Sequence, residues 1–226
     1  MSNPVSYVLE NDIATITMDD TKANAFGPNM IAGLDEAFDR AEKEAKAIVL
    51  TGRDGVLSAG FDLKVMREGP EATAAMTSAG ANLLMKMYLH PLPLVIACTG
   101  HAIAAGALIL LTGDLRLCAD KQANIGLNET SIGMAMPPFG LEIARDRLDP
   151  RALTNAVLGA TLYDPKTAVA IGYLDGVVPE EELFDAARVA AKKLTTLDPN
   201  AYARTKVYMR QATIDRIKPT LSDIKL

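Results

Sequence analysis

An α/β fold is predicted for this chain by two observations. Short apolar runs rich in β-branched residues alternate with amphipathic stretches at helical spacing, and small-residue turns mark the joins. Residues 7–10 and Ile13–Met18 flank Asn11-Asp12, which predicts a hairpin of two antiparallel strands. From residue 28 to 45, Met30, Ile31, Leu34, Ala37, Phe38 and Ala41 recur every three or four positions, with charged residues between them. That spacing predicts an amphipathic helix. Ala47–Gly52 then reads as a strand buried on both faces, and Leu94–Cys98 and Leu115–Ala119 have the same character. Strands of this kind need helices on both sides, so βα units follow.

Residues 62–89 are rich in Ala and Met at helical spacing, which predicts a helical excursion broken at Gly69-Pro70. Residues 91–113 contain no Asp, Glu, Lys or Arg, as a membrane span would. Thr99-Gly100-His101 interrupts the run and Pro91 and Pro93 crowd its start, so a buried strand, a turn and a buried helix are expected instead. Beyond Pro165, helices are expected over 166–171, 180–197 and 200–217, making the C-terminal part wholly helical. At 226 residues, with no internal repeat or low-complexity tract, one principal domain is expected.

Apolar residues make up 49% of the chain and charged residues 23%, the balance of a globular protein. A net charge of −5 without a basic run offers no footprint for nucleic acid. Cys98 and Cys118 sit in apolar runs without metal-ligand spacing, so they read as core residues and no metal site is expected. The opening Met1-Ser2-Asn3-Pro4 has no basic start followed by an apolar run, which points to the cytoplasm.

Two segments carry chemistry, residues 57–64 and 99–108, each a small-residue turn opening a helix. The first N–H groups of a helix lack intrahelical acceptors and lie at the positive end of its dipole, where they can hold a developing negative charge. Asp62 also suits a cap for the first of these helices. Read singly, either turn is better explained by close packing of helix on strand.

Ser58-Ala59-Gly60-Phe61-Asp62-Leu63 resembles a signature of the crotonase (enoyl-CoA hydratase/isomerase) superfamily. Gly100-His101-Ala102-Ile103-Ala104-Ala105-Gly106 resembles the family's second turn, Lys22-Ala23-Asn24-Ala25-Phe26 its early Asn-Ala turn, and residues 171–179 its later stretch. The resemblance runs from about Tyr7 to Arg210 and implies a spiral of ββα units over 1–180 with a C-terminal helical, oligomerising region over 181–226, short for the family. It implies an oxyanion hole made by the backbone N–H groups of Phe61 and Ala105. It further implies an acyl-CoA substrate met by Ala23, Ala25, Ala59, Gly60, Asp62, Leu63 and Gly106, a homotrimer or dimer of trimers, and no cofactor, coenzyme A being part of the substrate.

Residues 126–133 look most like the Δ3,Δ2-enoyl-CoA isomerases, in which the matching glutamate, here Glu129, is the base. Leu108 stands where hydratases carry a second glutamate. A hydratase positions water between two acids, whereas moving a proton from C2 to C4 needs one base, so isomerisation is expected. Glu129 is expected among apolar side chains such as Ile132, Met134 and Met136, where loss of solvent raises its pKa. Hydratase activity and a thioester binder without turnover are the alternatives. A serine hydrolase using Ser58 and His101 is disfavoured by the missing GxSxG elbow. Alanine at 104 and 105, where the family usually has glycine, asks for a particular φ at this turn. His101 is expected to be a hydrogen-bonded wall residue.

Overall fold

A computed structural model describes residues 3–221. The chain opens with the antiparallel pair β1 (Val5–Glu10) and β2 (Ile13–Met18), turned by Asn11 and Asp12 with φ of 52° and 67°, a region Asn and Asp tolerate. Helix α1 (Pro28–Glu44) follows, with Pro28 at its first position and Leu34, Phe38 and Ala41 on its buried face.

From there the chain repeats one step. β3 (Ala47–Gly52), β5 (Leu94–Cys98), β7 (Leu115–Ala119) and β9 (Gly176–Val178) extend one sheet in the order β1-β2-β3-β5-β7-β9, parallel from β2 onward. β4 (Gly55–Ser58), β6 (Gly100–Ile103) and β8 (Ile125–Gly126) each follow a strand of the first sheet and build a second parallel sheet, β4-β6-β8. Helices α2 (Leu63–Arg67) and α3 (Pro70–Tyr88) close the first turn and α4 (Ala105–Thr112) the second, so the path is a spiral of ββα units. The break between α2 and α3 falls at Gly69, whose φ is 126°.

Side chains of β3 alternate between two cores. Ile48 and Leu50 face α1, α3 and α4 in the larger, while Ala47 and Val49 join Val95, Ala97 and Leu183 in a smaller one beneath α7 (Leu183–Leu194). Every residue of β3 is buried, as expected of a sheet covered on both faces. Helix α8 (Pro199–Ile217) lies against α5 (Pro138–Arg147), and α6 (Pro165–Ile171) precedes β9. No helix among the described residues is long and apolar enough to cross a membrane.

Four expectations are corrected. The turn at Thr99-Gly100-His101 is the entry to β6, because Gly100 lies so close to Gly55 that a Cβ would meet its carbonyl oxygen at 2.0 Å. β4, likewise, is a strand by virtue of pairing with β6, and β9 interrupts the all-helical C-terminal part by pairing with β7. The helix expected over 180–197 is α7 preceded by a 3-10 turn, Glu180–Glu182. Helix α5 was not anticipated.

Candidate active site

The early turn is welded in place by Asn24, fully buried at φ 49°. Its amide donates to the carbonyls of Met18 and Leu57 at 2.8 and 3.1 Å and accepts from the Asp20 N–H at 2.9 Å. The Asp20 carboxylate accepts the N–H groups of Lys22, Asn24 and Ala25, which hold its pKa down against burial. This scaffold places Ala23 and Ala59 in a cleft of about 420 Å³ with Lys22, Arg53 and His101, and Ala25 and Asp62 in another of about 400 Å³ with Gly27 and Met30.

The two glycine turns meet at Gly60 and Ala104. Gly60 has φ of 99°, and a Cβ built on it would lie 2.8 Å from the Ala104 Cβ and 3.4 Å from the Ala105 backbone nitrogen. Phe61, the next residue, forms a parallel bridge with Phe26, whose N–H bonds the Gly60 carbonyl at 2.8 Å. Its ring packs tilted against that of Phe26, with centroids 5.4 Å apart and planes at 48°, and Gly80 in α3 leaves room for both rings. Neither the Phe61 nor the Ala105 N–H has an acceptor among the described residues. Phe61 lies before the Asp62 cap of a five-residue helix, so its N–H comes from extended backbone and α2 lends it little dipole. Asp62 accepts the Lys64 N–H at 2.8 Å, as a cap does, and Leu63 is exposed at the first turn of α2.

Ala105 begins α4, an eight-residue buried helix, and Ala104 before it takes φ 53° and ψ −123°, a conformation that favours glycine. The Ala104 carbonyl starts the helix by accepting from Leu108 N–H, and its own N–H bonds Gly126 O at 2.9 Å. Gly106 packs so tightly on β4 that a Cβ would sit 2.1 Å from the Ser58 carbonyl oxygen, so only glycine fits there.

Glu129 lies three residues beyond Gly126, in a 3-10 turn, Glu129–Ile132, and is 6% exposed. Its Oε2 is buried without a hydrogen-bond partner among the described residues, and burial pushes its pKa up to about 7. Met134 and Met136 are half-buried, but Ile132 is 50% exposed because its side chain leaves the short turn toward solvent. Leu108, one turn into α4, is fully buried and lies against Gly140 of α5.

His101 accepts the Asn124 N–H at 3.0 Å on Nδ1, and the Ser58 hydroxyl donates to Asn24 O at 2.7 Å. Both are occupied by structural bonds, which removes the hydrolase reading. Tyr173, in the loop after α6, is fully buried, and its hydroxyl has no hydrogen-bond partner among the described residues.

The model of the enoyl-CoA hydratase/isomerase family matches residues 9–225. The mitochondrial enoyl-CoA delta isomerase 1 of Rattus norvegicus is 35% identical over 188 residues, 81% of this chain. The chain spans 65% of that relative's length. The carnitinyl-CoA dehydratase of Salmonella enteritidis PT4 is 30% identical over 93% of this chain and 81% of its own. A crystal structure of an enoyl-CoA hydratase/isomerase family protein from Pseudomonas syringae superposes with a TM-score of 0.96 at 40% identity, covering 99% of this chain and 98% of the other. With the ββα spiral and the meeting of its two glycine turns already in place, the match across nearly the whole described length leads to one conclusion: this chain belongs to the enoyl-CoA hydratase/isomerase family, of the crotonase type and close to the isomerases.

Proposed function

We propose that the protein is a Δ3,Δ2-enoyl-CoA isomerase with Glu129 as its single acid and base. The observation that carries this reading is one dry carboxyl, poised near neutrality, with buried Leu108 where a second acid would stand. Glu129, ionised, takes a proton from C2 of a 3-enoyl thioester, and the electron pair passes into the thioester carbonyl. The N–H groups of Phe61 and Ala105 hold the resulting enolate oxygen, each contributing about 3 kcal/mol as charge develops. Protonated Glu129 returns the proton at C4, and the double bond comes to rest between C2 and C3.

The coenzyme A part runs past Ala23, Ala25, Ala59, Gly60, Asp62, Leu63 and Gly106, with Lys22 and Arg53 supplying cations for its phosphates. The helices beyond residue 180 join copies of the chain into a trimer. Similarity to a carnitinyl-CoA dehydratase favours a second reading, in which water leaves or adds across C2 and C3. Incubation with 3-enoyl-CoA and 2-enoyl-CoA thioesters of several chain lengths, following isomer and 3-hydroxy products separately, decides between them. Isomer alone is expected, and 3-hydroxy product formed at an equal rate sinks the single-base reading.

A further inference from the structure

Ala104 joins β6 to α4 in a conformation that alanine rarely takes, φ 53° and ψ −123°. It is held there from both sides. Its N–H bonds Gly126 O at 2.9 Å, beside the pairing of Ile103 with Gly126 that links β6 to β8. Its carbonyl accepts the N–H groups of Ala107 and Leu108 at 2.9 and 3.1 Å, and Gly106 is seated on the Ser58 carbonyl with no room for a side chain. The turn is therefore fixed by β8, α4 and β4 together.

Glycine adopts such angles without the penalty of a Cβ, so the methyl of Ala104 costs stability. Nor is it core filling, since Ala104 is only half-buried. What the methyl faces is Gly60. A Cβ built on Gly60 would meet the Ala104 Cβ at 2.8 Å, the Ile103 carbonyl oxygen at 3.2 Å and the Ala105 nitrogen at 3.4 Å. The methyl thus occupies the narrow space between the two glycine turns. The residue after each turn, Phe61 after Gly60 and Ala105 after Ala104, carries an N–H with no acceptor among the described residues. How closely Gly60 and residue 104 approach accordingly sets the separation of these two N–H groups, and the methyl limits that approach.

We propose that Ala104 is a positioning residue for the thioester oxygen, its methyl a spacer that keeps the Phe61 and Ala105 N–H groups far enough apart to take one oxygen between them. This rests on the reading of those two groups as the oxyanion donors. Such donors act within about 3 Å of the oxygen and count most as charge develops on it, so a change in their spacing is felt in the rate more than in binding. With glycine at 104, two facing residues without a Cβ let the turns close and the N–H groups lose their common focus. The strain of the positive φ is relieved by the same change, so stability and rate move in opposite directions.

The test compares Ala104→Gly with Ala104→Ser, which keeps a Cβ, in the full chain. Hexanoyl-CoA labelled with carbon-13 at the carbonyl is saturated and does not isomerise, so its carbonyl stretch in infrared difference spectra reads the donors without turnover. Binding to wild type is expected to lower that frequency, with part of the shift lost in Ala104→Gly and the shift kept in Ala104→Ser. On a 3-enoyl-CoA, kcat is expected to fall about tenfold in Ala104→Gly with KM little changed. Equal shifts and equal kcat in wild type and Ala104→Gly overturn the proposal and leave the alanine a tolerated strain. A loss in Ala104→Ser as large as in Ala104→Gly overturns it too, because the Cβ is then not the cause. A wild type that leaves the carbonyl unshifted removes the Phe61 and Ala105 donors themselves, and the spacer with them. A shift that weakens in Ala104→Gly, in a protein that turns over no 3-enoyl-CoA, sustains the spacer and removes the isomerase reading instead.

Discussion

Two carboxyl groups in this molecule, Glu129 buried and Asp114 largely so, are treated in opposite ways. Asp114, between α4 and β7, receives the Leu94 N–H and Tyr202 O–H at 2.9 Å and Lys206 at 2.6 Å on one oxygen, and Arg210 at 2.9 Å on the other. Glu129 has an oxygen with nothing to accept from among the described residues. The Asp114 cluster fastens α8 to the body of the protein, and Lys206 also donates to the carbonyls of His90 and Leu92. Even there, burial pushes Lys206 down to about 8, against the pull of Asp114. Satisfying a buried charge makes a rivet. Leaving one unsatisfied makes a group ready to exchange protons.

The sharpest way to break this contrast is Glu129→Gln. Loss of the proposed base is expected to lower kcat about 1000-fold, measured on the 3-enoyl thioester, and in the wild type kcat/KM should rise along a limb centred near pH 7. The stability effect has the opposite sign. Glu129 binds its proton more tightly folded, at about 7, than its ordinary 4.5, so stability is greatest below about pH 4.5 and is lost as pH rises through 7. Above that pH Glu129→Gln should unfold later than wild type by an amount on the order of 3 kcal/mol, read from denaturant curves. A variant less stable at pH 8 refutes the dry-pocket account.

Asp114→Ala is the converse experiment. It leaves Lys206 and Arg210 buried without their anion and should cost about 3–5 kcal/mol, seen as a fall in Tm, while kcat per folded molecule stays near wild type. A matching fall in kcat would merge the two regions into one. The smallest effect is expected at the second turn, where Ala104→Gly relieves a positive φ. A gain of about 1 kcal/mol is expected in thermal unfolding, and no gain means the turn is held without strain.

Much of the spiral was legible in the sequence. β1, β2, β3, β5, β7 and α1 follow from period-2 and period-3.6 patterns that each segment carries alone. The three strands of the second sheet were not, because Gly55–Ser58, Gly100–Ile103 and Ile125–Gly126 are short and rich in small residues, and they become strands by pairing with one another. α5 was missed where Pro137-Pro138 hid a helix start.

The site divides in the same way. Gly60, Gly106 and Glu129 were singled out by motif, and the direction of the Glu129 pKa was readable from apolar neighbours along the chain. That Ile132 turns outward, that Ala104 takes a glycine-like φ and that Asn24 anchors the early turn belong to the tertiary structure. Local pattern encodes which face of an element is apolar and where it ends. Which polar atom is left without a partner depends on what distant segments bring to it, and no local pattern contains that.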